Sequence, residues 1–258
     1  MLLPDTQAEL AASFTKFLTV AIHQIIYLRS VYPRVTFLPV RAYDFPLRQS
    51  RHPKVCDYIN DVAAAVEMEI LKGTVAAAYV VITSVSSNRP MERFAFDLSE
   101  FPRVAEEDIC TTFEERQHNA ASFLPTALSV ADIEAQFRAC LSRLTSACER
   151  LAPLPADDEF GFTVCIEVRE DALPPAGTTK AEEKWIIAEP GQVNPQSRSA
   201  PSLSKTKDGK RRPQQRPSQG ISSEKAKTVP VRRVEAGELR FEVWVEEARQ
   251  KFEKPPDA

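Results

Sequence analysis

Phe14, Phe17, Leu18, Ala21, Ile22, Ile25 and Ile26 recur every three to four positions, the period of one helix face. The pattern predicts a helix over 5–30. Thr6 and Glu9 have the spacing of a capping box at its start, and Pro33 ends it by disfavouring helical geometry at Tyr32. A second helix is expected from Ser50 as N-cap, with Pro53 in its first turn. Val55, Tyr58, Ile59, Val62 and Val66 form its apolar side, and Gly73 is its C-cap. A third runs from 129 to 151, where Ile133, Phe137, Cys140, Leu141, Leu144, Cys148 and Leu151 share one side. Residues 34–49, which contain Pro39 and Pro46, read as irregular.

Other stretches change period. VAAAYVVITSV (75–85) is rich in strand-forming residues, carries no charged one and reads as a central strand. SNRP (87–90) is a turn, and MERFAFDL (91–98) puts Phe94, Phe96 and Leu98 on one face, so the two strands form an antiparallel hairpin. FGFTVCIEV (160–168) alternates, as does LRFEVWVEE (239–247), where Leu239, Phe241, Val243 and Val245 oppose Trp244. KWIIAE (184–189) is a short strand candidate, and part of 104–124 is read as helical. Helices and strands mixed in this order give an α+β fold, with 5–250 as a single domain and 251–258 as a disordered tail.

The chain has 258 residues and a net charge of −3. No run approaches the roughly 18 apolar residues of a membrane span, and the N-terminus lacks the basic start of a secretory signal. Charge is unevenly spread. Residues 190–228 hold nine Lys or Arg against two Asp or Glu, leaving the remainder near −10. That stretch has three aliphatic residues, too few to offset its ordering entropy, and reads as a disordered basic insert. An acidic body does not favour a large phosphate-binding face.

Candidate chemistry is sparse. GxGxxG, P-loop, HExxH and GxSxG motifs are absent from the sequence, so no cofactor is expected. Cys56, Cys110, Cys140, Cys148 and Cys165 include no CxxC, and the three histidines are scattered. A zinc site is therefore not expected, and the thiols read as reduced and mostly buried. Carboxylate pairs such as Glu106–Glu107, Asp157–Asp158, Glu182–Glu183 and Glu246–Glu247 read as solvated faces, and His23 as a packed or surface histidine. Nothing assembles an acid, a base and a nucleophile, so no enzyme is expected.

VYP (31–33), YDFPL (43–47), HPKVCDYIND (52–61), YVVI (79–82) and NRPMERFAF (88–96) fall in one order, followed by DIEAQFRACLSRL, FTVCIEVRE, KWIIAE and LRFEVWVEE. This series resembles the HORMA-domain family, and within it the accessory, non-catalytic subunits of DNA polymerase zeta. The resemblance covers roughly 8–189 and 228–250 and leaves the basic insert outside. It implies three helices packed on a mostly antiparallel sheet, with a C-terminal safety belt. The belt encloses a partner peptide that adds a strand to an open sheet edge.

The resemblance also implies roles for particular residues. Tyr58 and Trp185 match family aromatics that contact prolines of the bound peptide. Val229, Pro230, Val231 and Arg232 match the returning belt and are expected, with those two aromatics, at the bound peptide. Trp244 and Glu242 match the outer-face site for the C-terminal domain of the Y-family deoxycytidyl transferase, although Tyr and an amide are usual at those positions. Arg138 matches an arginine of the HORMA–HORMA dimer interface, which implies a homodimer or heterodimer. The implied function is an adaptor of translesion synthesis, joining the catalytic subunit of polymerase zeta to the Y-family enzyme in the nucleus, with Lys210–Arg212 as a nuclear signal. Two other readings are a checkpoint-type HORMA regulator and a nucleic-acid binder acting through the insert. The insert has no aromatic residue for base stacking.

Overall fold

The computed structural model describes residues 4–113, 129–173, 175, 185–188 and 227–252. Three helices lie on one face of a five-stranded antiparallel sheet. α1 is Gln7–Leu28, α2 Pro53–Leu71 and α3 Val130–Arg150. The sheet strands are β3 (Val75–Ser84), β4 (Pro90–Asp97), β5 (Phe160–Val168), β6 (Lys227–Ala236) and β7 (Leu239–Glu247), in the order β5-β3-β4-β7-β6.

The helix ends follow the sequence logic. Thr6 and Glu9 cap α1 reciprocally, and Ser129 with Asp132 does the same for α3. Hydrogen bonds to Asp132 from the Ser129 amide and hydroxyl hold its carboxyl below the usual range. α2 differs from expectation: its N-cap is His52, with no side-chain bond, while Ser50 ends a strand. Gly73, at φ +71°, donates to the Ile70 carbonyl and closes α2 in a left-handed turn open to glycine at little cost. α1 is long and apolar enough to cross a membrane by length and composition, yet Phe14, Phe17, Leu18, Ile22 and Ile25 are fully buried in the protein core.

The expectation of an irregular 34–49 is corrected. Phe37–Ala42 (β1) and Phe45–Ser50 (β2) form an antiparallel hairpin. Tyr43 and Asp44 both have φ near +50° to +60°, the two-residue turn whose twist suits such a ribbon. Pro39 lies opposite Arg48, and Pro46 opposite Arg41. A two-stranded ribbon has two open edges, where a missing N–H breaks no ladder. The hairpin packs on α1, where Gln24 accepts from the Arg48 amide and His23 Nδ1 from that of Ser50. α1 is thereby enclosed between hairpin and sheet.

Phe14, Phe17, Phe137 and Phe241 meet in the core; Phe17 stacks on Phe137 at 4.7 Å, and Phe14 meets Phe241 edge-on at 5.2 Å. On the outer sheet face a smaller cluster joins Ala77, Tyr79, Val81 and Ala95, with Cys165 and Trp244 against it.

Two further expectations change. Trp185–Ala188 is not a strand, and Ile186 and Ile187 are almost fully exposed. Disorder was expected from 190 to 228 and from 251 on, but Lys227 and Thr228 belong to β6, and Lys251 is buried in a 3-10 turn, Arg249–Phe252. Residues 190–226, most of the part of 104–124 read as helical, and the pair Glu182–Glu183 lie outside the described residues.

Candidate partner-binding site

β5 pairs with β3 along one side, and among the described residues no strand pairs with its other side. An unpaired edge presents a row of free N–H and C=O groups. Three rings converge beside it. Tyr58, on α2, meets Phe162 of β5 edge-on at 5.4 Å, and Tyr32 meets the same ring at 6.3 Å. The Tyr58 side chain is 38% exposed. Ile59 and Val66 of the same helix are fully buried, so Tyr58 lies on the outward side of α2. Burial, then the neighbouring Tyr58 hydroxyl, pushes the Tyr32 phenol up. Trp185 is half-buried against the main core. Rigid rings beside a free strand edge give main-chain pairing and an apolar contact surface at low entropic cost.

β6 lies at the far edge of the sheet, so Val229, Pro230, Val231 and Arg232 are not beside Tyr58. Val229 and Val231 pack on the main core. Arg232 Nη2 donates to Gln136 Oε1 of α3 at 2.7 Å. A bulge between Pro230 and Arg232 re-aims this strand.

The topology sets what joins the two edges. β5 and β6 run in the same direction, so the chain from Val168 to Lys227 must span the sheet's width, roughly 19 Å at four strand spacings, and about 30 Å of strand length. It has 58 residues to do so, an extended reach of roughly 190 Å.

The outer face carries a polar chain across four strands. The Tyr79 hydroxyl donates to Glu167. Arg93 lies 4.5 Å from the Tyr79 ring centroid and pairs with Glu246 at 2.7 Å, and Trp244 Nε1 donates to the other Glu246 oxygen at 2.8 Å. Burial and the Glu167 carboxylate push the Tyr79 phenol far above its ordinary value. Trp244 faces away from the Leu239–Val245 stripe, as its position in the alternation implies, and is half-buried with its N–H satisfied. Its neighbour Glu242 is exposed.

The expected solvated pair Glu246–Glu247 is corrected: Glu246 is 5% exposed and Glu247 fully buried. Glu247 accepts from Lys251 Nζ at 2.6 Å and from the Ala152 amide at 3.1 Å. Lys251 also reaches Glu92, which takes a bidentate pair from Arg29 at 2.6 and 2.7 Å. Two cations and two carboxylates thus neutralise one another in the interior. They tie the ends of α1 and α3, the start of β4 and the end of β7 to the C-terminal turn, and Lys227, the first residue of β6, lies 3.6 Å from Glu247.

Other candidates are quieter. Arg138 donates to Asp44 at 3.3 Å across an exposed gap, a pair of little strength. Burial pushes the Cys140 and Cys148 thiols up to about 12, which makes them inert; Cys56 and Cys165 are half-buried and Cys110 is exposed. Among the described residues no cluster of His, Cys, Asp or Glu could hold a metal. Sequence reading missed Phe162 and Tyr32 as ring partners of Tyr58. The aromatic alternation of β5 was the available signal for Phe162.

Helices on one face of an antiparallel sheet, an open strand edge and a long connection between the two edge strands define an α+β protein-interaction module. The HORMA domain family matches residues 11–179, and the chain belongs to that family. A DNA polymerase zeta processivity subunit from Arabidopsis thaliana is 30% identical over 70% of this chain and 74% of its own length. A Schizosaccharomyces pombe protein of the same name is 27% identical, and a Danio rerio mitotic spindle assembly checkpoint protein MAD2B 26%, both over at least 90% of each chain. Among solved structures, a chain of a mitotic checkpoint complex matches with a TM-score of 0.58 at 15% identity, over 92% of this chain and 97% of its own. Caenorhabditis elegans HTP-2 bound to a HIM-3 closure motif matches at 0.58 and 10%, over 95% and 93%. The chain is a HORMA adaptor that resembles polymerase zeta accessory subunits.

Proposed function

We propose that this adaptor holds a proline-containing peptide of the polymerase zeta catalytic subunit along the open edge of β5, enclosed by the chain between Val168 and Lys227 as a safety belt. The open edge beside the half-exposed Tyr58 ring carries this reading. Trp185 closes on the peptide from the belt side. Val229, Pro230, Val231 and Arg232 fix the belt's return at the far edge, through α3 and the core. Trp244 and Glu242 on the outer face receive the C-terminal domain of the Y-family deoxycytidyl transferase. Holding inserter and extender on one body raises their effective concentration for each other, without chemistry by the adaptor itself. Arg138 serves a HORMA–HORMA contact, and Lys210–Arg212 directs the protein to the nucleus.

Isothermal titration tests the reading: a catalytic-subunit peptide should bind the wild type and lose affinity at least tenfold with Tyr58→Ala, a ring truncation of hot-spot size. A peptide that binds both proteins equally would overturn it. A checkpoint-type regulator is the second reading, favoured by the name of the zebrafish relative. Affinity purification recovering mitotic partners and no polymerase would select it.

A further inference from the structure

A second surface lies on the β1–β2 hairpin and the start of α2. Residues 34–54 carry five Lys or Arg and one Asp, in a chain whose net charge is negative. The Asp, Asp44, is taken by Arg41 and Arg138. Arg34, Arg48, Arg51 and Lys54 pair with no carboxylate among the described residues. The fold gathers them: Arg48 lies opposite Pro39 in the hairpin, and the Arg51 amide donates to the Thr36 carbonyl at 2.9 Å. Two are preorganised. The Arg34 and Arg48 guanidinium carbons sit 5.2 and 5.5 Å from the centroid of the same Tyr27 ring, which packs edge-on against Phe37. Cation–π contact restrains both side chains while leaving their N–H groups to solvent. Like charges held together without a counter-charge repel one another, and a bound anionic partner removes that cost.

Beside the pair, Val35, next to Arg34 in the chain, is 76% exposed, whereas Leu38 pairs with Gln49 and projects from the ribbon face opposite to Arg48. Arginine forks suit carboxylates, and the exposed valine beside Arg34 suits a peptide with apolar residues. The Tyr27 ring is already taken up by guanidinium groups and Phe37, so single-stranded nucleic acid is the poorer fit.

We propose that this surface docks an acidic, aliphatic-containing peptide segment of a partner protein, separately from the β5 edge. The test uses a fluorescein-labelled peptide of about 12 residues alternating Glu pairs with Leu, its Gln-for-Glu counterpart and a thymidine oligonucleotide of matched charge, each titrated by fluorescence anisotropy. Expected are binding of the Glu–Leu peptide alone, a fall of about tenfold in affinity when salt rises from roughly 50 to 200 mM, and a further loss of at least tenfold in R34E/R48E. Val35→Ser should cost about threefold. Tyr58→Ala should leave this binding intact, so its failure and that of the β5-edge reading are distinguishable. These are surface positions, and unchanged far-ultraviolet circular dichroism and Tm will show that the variants fold. Absence of Glu–Leu binding, equal binding in R34E/R48E, or oligonucleotide binding as tight as the peptide's would each overturn the proposal.

Discussion

Lys251 Nζ lies 2.5 Å from Glu92 Oε1, across 159 positions of sequence and out of contact with solvent. Glu92 lies near the start of β4 and also holds Arg29; Lys251 lies in the C-terminal turn and also holds Glu247. Removing one member of such a set leaves an uncompensated buried charge, which is far more costly than the net worth of the pairs. Lys251→Met is therefore expected to destabilise the protein by about 3–5 kcal/mol in urea unfolding. Adding Glu92→Gln should recover part of that loss, because the excess negative charge goes with it.

His23 gives the pH prediction. Burial lowers its pKa to about 4, and its Nδ1 accepts the Ser50 amide. The unfolded chain takes up a proton near the usual 6.5, where the folded chain does not. Stability from this residue is complete above about pH 6.5, falls as pH drops, and is gone below about 4. The loss is on the order of 3 kcal/mol, because each tenfold difference in proton affinity between the two states is worth about 1.36 kcal/mol. Urea midpoints at pH 7 and 4.5 should show it, and His23→Gln should flatten that part of the profile.

The Ser129–Asp132 capping box bounds α3. Ser129→Ala removes the acceptor for the Asp132 amide and should cost about 1 kcal/mol, seen as a lower Tm. Asp132→Asn should cost less.

Trp244 and Tyr58 occupy different faces of the molecule. Trp244→Ala should weaken binding of the Y-family C-terminal domain by about 2 kcal/mol, roughly 30-fold, and leave the catalytic-subunit peptide unaffected. Glu246→Gln should have a smaller effect on the same partner, since the indole keeps an acceptor while the Arg93 pair is weakened. Calorimetry with each partner checks the separation.

The three helices were legible because their apolar stripes are long; the Thr6–Glu9 cap of α1 was legible too, whereas α2 starts from His52 and not from Ser50. So were β3, a nearly continuous apolar run buried along its length, β4 and β5 by their alternating apolar positions, and β7, where Leu239, Phe241, Val243 and Val245 are buried while Arg240 and Glu242 are exposed. The hairpin at 37–50 was hidden by Pro39 and Pro46, which usually punctuate strands but are harmless on a ribbon with two open edges. Glu246–Glu247 looked like a solvated pair because its counter-charges, Arg93 and Lys251, lie 153 and 4 residues away and only folding brings them together. Tyr58 was legible as a candidate through resemblance. Its ring partners Phe162 and Tyr32 were not, since their meeting depends on how α2 crosses the edge of the sheet. The placement of β6 opposite that edge is a matter of strand order, which no local pattern carries.

A partner peptide that adds to the free edge of β5 next to Tyr58 covers the unpaired amides of that strand. Backbone hydrogen exchange of the protein with and without the catalytic-subunit peptide reads this coverage strand by strand. Amides of Phe160–Val168 aimed away from β3 should become protected on binding while those of β6 keep their rates. Protection confined to β6, or none along β5, would rule the peptide out of that edge.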